Sequence, residues 1–138
     1  ARTVPPAIRH RVTKLKYRPC IRRLNKLARP ILGAHDFSTF TLPSEPSENR
    51  VRRVEQASFL PQDGLIVFEI SANAFLWRMV RSIAGTLIEL DKLAAEPVEV
   101  EARLAACDHA AAGPSAPAHG LVLHRVDYPG DEPEESTE

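Results

Sequence analysis

The chain is predicted to be an α+β domain, with helices packed on one face of a mainly antiparallel sheet. Three observations predict it. Helical and strand patterns alternate along the chain. Two strand-like runs, Val51 to Leu60 and Leu65 to Ala72, flank the turn sequence Pro61-Gln-Asp-Gly64. A long apolar stretch at helical spacing follows directly. At 138 residues, 43% hydrophobic and 26% charged, the chain has the composition of one globular domain with a sizeable core.

Ile21 to Leu32 carries Ile21, Leu24, Leu27, Ala28 and Ile31 at helical spacing, and Gly33 supplies a stop. Pro30 removes one backbone donor and should bend or shorten the last turn. His35 to Phe40 is a short aromatic segment in which Phe37 and Phe40 are expected to pack in the core. His35 and Asp36 are expected to form a helix-end hydrogen-bond pair, with contact to a bound ligand as the alternative. Leu42 to Asn49, with two prolines and two serines, is a loop. In the second hairpin strand Ile66, Phe68 and Ile70 face one way. A long helix is expected from about Ala74 to Leu90, with Asn73 as its N-cap. Val98 to Ala106 is a shorter helix after Pro97. Ala110 to Gly120 is a loop of small residues, and Leu121 to Tyr128 a last strand.

The long helix is apolar around most of its circumference. Phe75, Leu76, Met79, Val80, Ile83 and Leu87 share one broad face, which Trp77, Ala84 and Ile88 extend. Arg78, Arg81 and Gly85 occupy the narrow sector that remains. Gly85 lies one turn after Arg81, so a second backbone or a nucleotide could come close there. A cation at the rim of such a helix usually has an anionic partner, and a solvated arginine is the alternative.

The zero net charge conceals an asymmetry. Residues 1–53 hold thirteen basic and three acidic residues, whereas residues 131–138 hold five acids and no base. The basic third suggests contact with a polyanion, nucleic acid first, with a solvated linker as the alternative. No apolar run approaches the roughly 20 residues that a membrane span needs. The basic N-terminus has no apolar core, so no signal peptide is expected. With two isolated cysteines, Cys20 and Cys107, no disulfide framework is expected, and a reducing cytoplasm is the default location. Cys107 and His109 lack further ligands at convincing spacing, so no metal site is expected. The chain starts at Ala1, which fits a processed, trimmed or partial chain.

The order of the motifs carries a resemblance. Leu32-Gly-Ala-His-Asp-Phe-Ser-Thr-Phe40 is followed by a hairpin. Next comes Asn73-Ala-Phe-Leu-Trp-Arg-Met-Val-Arg-Ser-Ile-Ala-Gly-Thr-Leu87, then Ala111-Ala-Gly-Pro-Ser-Ala-Pro-Ala-His-Gly-Leu-Val-Leu123, then Arg125-Val-Asp-Tyr-Pro129. From about residue 20 to 129 the chain resembles the C-terminal half of the tRNA pseudouridine synthase A family. Three parts are expected: from composition a basic arm or connection to another half at 1–19 and an acidic disordered tail at 130–138, and from the resemblance the synthase C-terminal domain at 20–129.

It further implies two related α+β halves flanking a basic cleft. The expected partners are tRNA and a second copy in a homodimer, with no membrane, no metal and no organic cofactor. The implied reaction is isomerisation of uridine to pseudouridine at anticodon-arm positions thirty-eight to forty. Arg81 matches the arginine that pairs with the nucleophilic aspartate, and Leu121 the aliphatic residue that packs on the target base. Arg78 and His119 are further expected substrate contacts; for His119 a loop-ordering role is an equal alternative. The family's Gly-Arg-Thr-Asp-Ala-Gly motif is absent, and Asp36, Asp63, Asp91, Asp108, Asp127 and Asp131 stand in other contexts. The active-site tyrosine also belongs upstream, and the surroundings of Tyr17 do not match it. This chain alone is therefore expected to be inactive. The rival expectation is a non-catalytic RNA-binding or dimerisation module of the same fold.

Overall fold

Pro30 ends the first helix as its missing N–H requires. In the computed structural model, which describes residues 19–116 and the backbone of 121–127, helix α1 spans Ile21–Ala28 and tightens into a 3-10 turn at Arg29–Ile31. Gly33, at φ +98°, then turns the chain into strand β1, Gly33–Asp36. The Asp36 carboxylate accepts from the Ser38 N–H at 2.9 Å and the Ser38 hydroxyl at 2.6 Å, which starts a second 3-10 turn, Ser38–Phe40.

Strands β2 (Val51–Gln62) and β3 (Leu65–Ala72) form the expected hairpin. Its two-residue loop has positive φ at both positions, Asp63 (53°) and Gly64 (80°), as the right-handed twist of the strands favours. β2 runs on through Pro61, which pairs with Ile66. That is tolerated because β1 covers only the Val51–Val54 end of β2, so the opposite edge at Pro61 is open. The register slips between Val54 and Gln56, which makes a bulge at Glu55.

Helices α2 (Met79–Lys92) and α3 (Pro97–Ala106) carry the chain across to β4, Leu121–Asp127. The sheet order is β1-β2-β3-β4. The first three strands are antiparallel, and β4 runs parallel to β3 with Leu121 opposite Ile66. The fold is thus α+β with a mainly antiparallel sheet.

The core lies between the sheet and the helices. Phe59 and Phe68 stack at 4.5 Å with Leu24, Leu27, Ile83 and Leu87 in the same buried cluster. Each such side chain contributes about 1.5–3 kcal/mol by leaving water. Phe37 and Phe40 are core residues, 0% and 1% exposed. Two polar devices lock α1 in place. Asn25 exchanges hydrogen bonds with the Phe59 backbone, and Asp91 accepts from Arg23 at 3.1 Å and from the Cys20 N–H at 3.2 Å. The Asp91 carboxylate, 3% exposed, so caps α1 from α2.

α2 starts five residues later than its periodicity suggests. Ala74, Phe75 and Leu76 are buried as expected, but they form an irregular link. The Asn73 carboxamide accepts from the Arg53 N–H at 2.8 Å instead of capping the helix. The Trp77 N–H goes to Glu45 and the Trp77 carbonyl accepts from Thr41, so these groups are withdrawn from helical pairing. The N-cap position belongs to Arg78, in the left-handed region at φ 58°.

Residues 1–18 and 130–138, His119 and the side chain of Leu121 lie outside the described residues, and with them most of the expected arm and the whole acidic tail.

Candidate active site

Arg81 sits in the first turn of α2 with its side chain exposed. Its guanidinium Nη2 donates to the Ala116 carbonyl at 3.2 Å, and its own carbonyl accepts from the Ala116 N–H at 3.0 Å. Among the described residues Arg81 makes no ion pair. Its only polar side-chain partner there is a neutral carbonyl, which leaves its charge uncompensated.

The segment 113–116 lies along α2 as a strap. Gly113 N–H donates to Thr86 Oγ1 at 2.8 Å at one end, and Ala116 binds Arg81 at the other. Between them the strap crosses Gly85. A Cβ there would meet Pro114 O, stand 2.5 Å from Ala116 N and 2.6 Å from the Ser115 carbonyl carbon. The close approach that a glycine in this sector permits is therefore made by the chain's own backbone. Leu121 follows Ala116 by five residues, so its Cα lies within about 18 Å of Ala116.

The strap is anchored upstream as well. Thr39, fully buried, donates to the Arg103 carbonyl at 2.8 Å and accepts from the Asp108 N–H at 3.2 Å. Arg103 bridges Glu89 at 3.2 Å. His109 Nδ1 stands 3.3 Å from Thr39 O, and Cys107 Sγ donates to Leu104 O, so both serve the loop.

On the other flank Glu45 organises the entry to α2. Its carboxylate, 4% exposed, accepts from the N–H of Trp77 at 2.7 Å and of Ser47 at 2.9 Å. Burial, the strongest single influence on its pKa, acts upward. The two N–H groups, the Ser47 hydroxyl and the Arg50 charge outweigh it and hold the pKa below its ordinary value. Glu45 therefore stays ionised and fixes the strained link that presents Trp77 (40% exposed) and Arg78 to solvent.

Comparison with known proteins decides the kinship. A family model described as tRNA pseudouridine synthase matches residues 27–129. The chain belongs to the tRNA pseudouridine synthase family. It is 39% identical over 113 residues to a tRNA pseudouridine synthase A of Treponema denticola, covering 82% of this chain and 42% of that protein. It is 32% identical over 126 residues to one of an Exiguobacterium species, covering 91% and 51%. It is 42% identical over 96 residues to one of Moorella thermoacetica, covering 70% and 39%. The chain spans about half the length, or less, of these relatives.

In this member of the synthase family, Arg78 is the N-cap of α2, Arg81 lies in its first turn, and Leu121 begins β4. Three of the described aspartate carboxylates serve other ends: Asp36 binds Ser38, Asp91 binds Arg23, and Asp108 accepts from the Ala110 N–H. Sequence reasoning missed Thr39, Glu45, Ser82 and Thr86, the polar residues that shape the surroundings of the two arginines. The available signal was a carboxylate in a loop beside two prolines and hydroxyls on an apolar helix, and each finds its partner only through tertiary contact. Among the described residues no helix is long and apolar enough to cross a membrane.

Proposed function

We propose that this chain is the arginine-bearing portion of a tRNA pseudouridine synthase that isomerises uridine in the anticodon arm. Arg81 is the partner of a nucleophilic aspartate contributed by the rest of the enzyme. The observation that carries this reading is the state of Arg81. It is exposed, immobilised through Ala116, and has only a neutral carbonyl as a partner among the described residues.

The chemistry needs such a group. Uridine must be detached at its glycosidic bond, turned, and rejoined through C5. A carboxylate acting as nucleophile or electrostatic stabiliser must remain ionised in a closed pocket. A guanidinium is permanently charged and can bond a carboxylate at two points, which opposes the desolvation that would raise the acid's pKa. Leu121, at the strand start reached through the strap, packs on the freed base and keeps water out. Arg78 and His119 contact the RNA. Extruding the uridine costs a few kcal/mol, which basic side chains on the RNA backbone offset. The working enzyme is a cytoplasmic homodimer with the RNA across both subunits.

The test is pseudouridine formation in tRNA by the chain alone and by the intact protein. The chain alone is expected to be inactive, because its nucleophile lies elsewhere, and the intact protein active. Isomerisation by the chain alone would refute the assignment of the nucleophile. Tight tRNA binding by an inactive intact protein would favour a non-catalytic RNA-binding module.

A further inference from the structure

A cavity of about 310 Å³ opens beside the first turn of α2 and is lined by Thr41, Arg78, Ser82, His109 and Ser115 among others. Ser82 is 3% exposed and lines this cavity, and among the described residues its hydroxyl has no hydrogen-bond partner. That hydroxyl is therefore free to bond a polar occupant of the cavity. Arg78 supplies a full positive charge and likewise has no ion-pair partner among the described residues. α2 is fourteen residues long and its N-terminus has no side-chain cap, so the free N–H groups of its first turn add a partial positive charge. No carboxylate lines the cavity among the described residues. Ser115 adds a second hydroxyl from the strap. His109 Nδ1 stands 3.3 Å from Thr39 O, which holds the ring at the cavity wall.

We propose that this cavity seats one phosphate of the bound RNA backbone, with Arg78 and the Ser82 hydroxyl as its principal donors. The identity of the phosphate carrier rests on the function proposed above; the anion site itself does not. Arg78 occupies the N-cap position of α2 and lines the cavity together with Ser82, so cation and helix terminus serve one oxyanion group. Arg81, in the same turn, stays available for the catalytic carboxylate because the phosphate has its own arginine.

The experiment has two arms. Inorganic phosphate is titrated into the isotope-labelled 138-residue chain and amide shifts are followed. Saturable shifts are expected at Val80, Arg81, Ser82 and Ser115. Ser82→Ala should weaken the affinity about tenfold, and Arg78→Gln should abolish it. Ser82→Ala removes one oxygen and keeps the fold, so it stands if the arginine variant does not. In the second arm, binding of an anticodon stem-loop to the intact protein is measured across salt concentration. Arg78→Gln should lower the log–log salt slope by about one. Absence of saturable shifts overturns the anion site. Phosphate shifts with an unchanged RNA salt slope overturn the RNA assignment and leave a site for free phosphate. Failure of the unsubstituted protein to bind RNA at any salt would count against the proposed function, while the phosphate arm decides the cavity separately.

Discussion

Arg81 and Ala116 hold each other twice: the Ala116 N–H donates to the Arg81 carbonyl at 3.0 Å, and the Arg81 guanidinium donates to the Ala116 carbonyl at 3.2 Å. One residue of the strap thus fixes both the backbone and the side chain of the arginine. The guanidinium keeps further N–H donors for another partner, because one nitrogen satisfies the carbonyl. An arginine positioned in this way loses little side-chain entropy when a carboxylate arrives.

Gly85→Ala tests the strap. In a free helix the change would stabilise by about 1 kcal/mol. Here the new methyl meets the backbone of 114–116, which has no soft side chain to yield. The variant is expected to be less stable by about 1–3 kcal/mol in denaturant unfolding. An equal or higher stability would mean that the strap does not press on α2.

Glu45 predicts an acid-sensitive step. Its folded pKa lies below its ordinary value of 4.5. Its contribution is therefore complete above pH 4.5 and is lost as pH falls through the lower folded value. Glu45→Gln should destabilise by about 1–3 kcal/mol at neutral pH. The gap between variant and unsubstituted chain should close below pH 4.5. A gap independent of pH would show that ionisation of Glu45 is irrelevant to the link before α2.

Asp91→Ala removes the carboxylate that accepts from Arg23 and from the Cys20 N–H, while the Arg23 bond to the Asp91 backbone carbonyl at 3.0 Å remains. The expected loss is about 1–3 kcal/mol, seen as a lower thermal midpoint, with hydrogen exchange rising first at the N-terminal turn of α1. Unchanged exchange there would remove the capping role.

The predictability of these features follows the range of the forces behind them. The hairpin was legible because Asp63-Gly64 and the flanking strand patterns act within a few residues. Pro30 and Gly33 marked the end of α1 for the same local reason. The start of α2 was not legible. Phe75 and Leu76 are buried as a helix pattern would bury them, but Glu45, thirty-two residues upstream of Trp77, takes the N–H that would continue the helix. The parallel placement of β4 against β3 depends on the crossover through α2 and α3 and leaves no local mark. Gly85 was legible as a place of close approach; that Pro114 to Ala116 fill it was not. Arg78 and Arg81 stood out in the sequence as cations on an apolar helix, whereas the buried hydroxyl of Ser82 acquires meaning only from the cavity that it lines.

The central claim is that Arg81 serves a carboxylate in the transition state and is not an RNA anchor. The most direct measurement is Arg81→Lys in the intact protein, with the single-turnover rate and the tRNA Kd determined side by side. The charge is kept and the two-point fork is lost, so the rate should fall about a hundredfold or more while Kd stays nearly unchanged. Equal losses in rate and affinity would contradict the account and make Arg81 a phosphate contact.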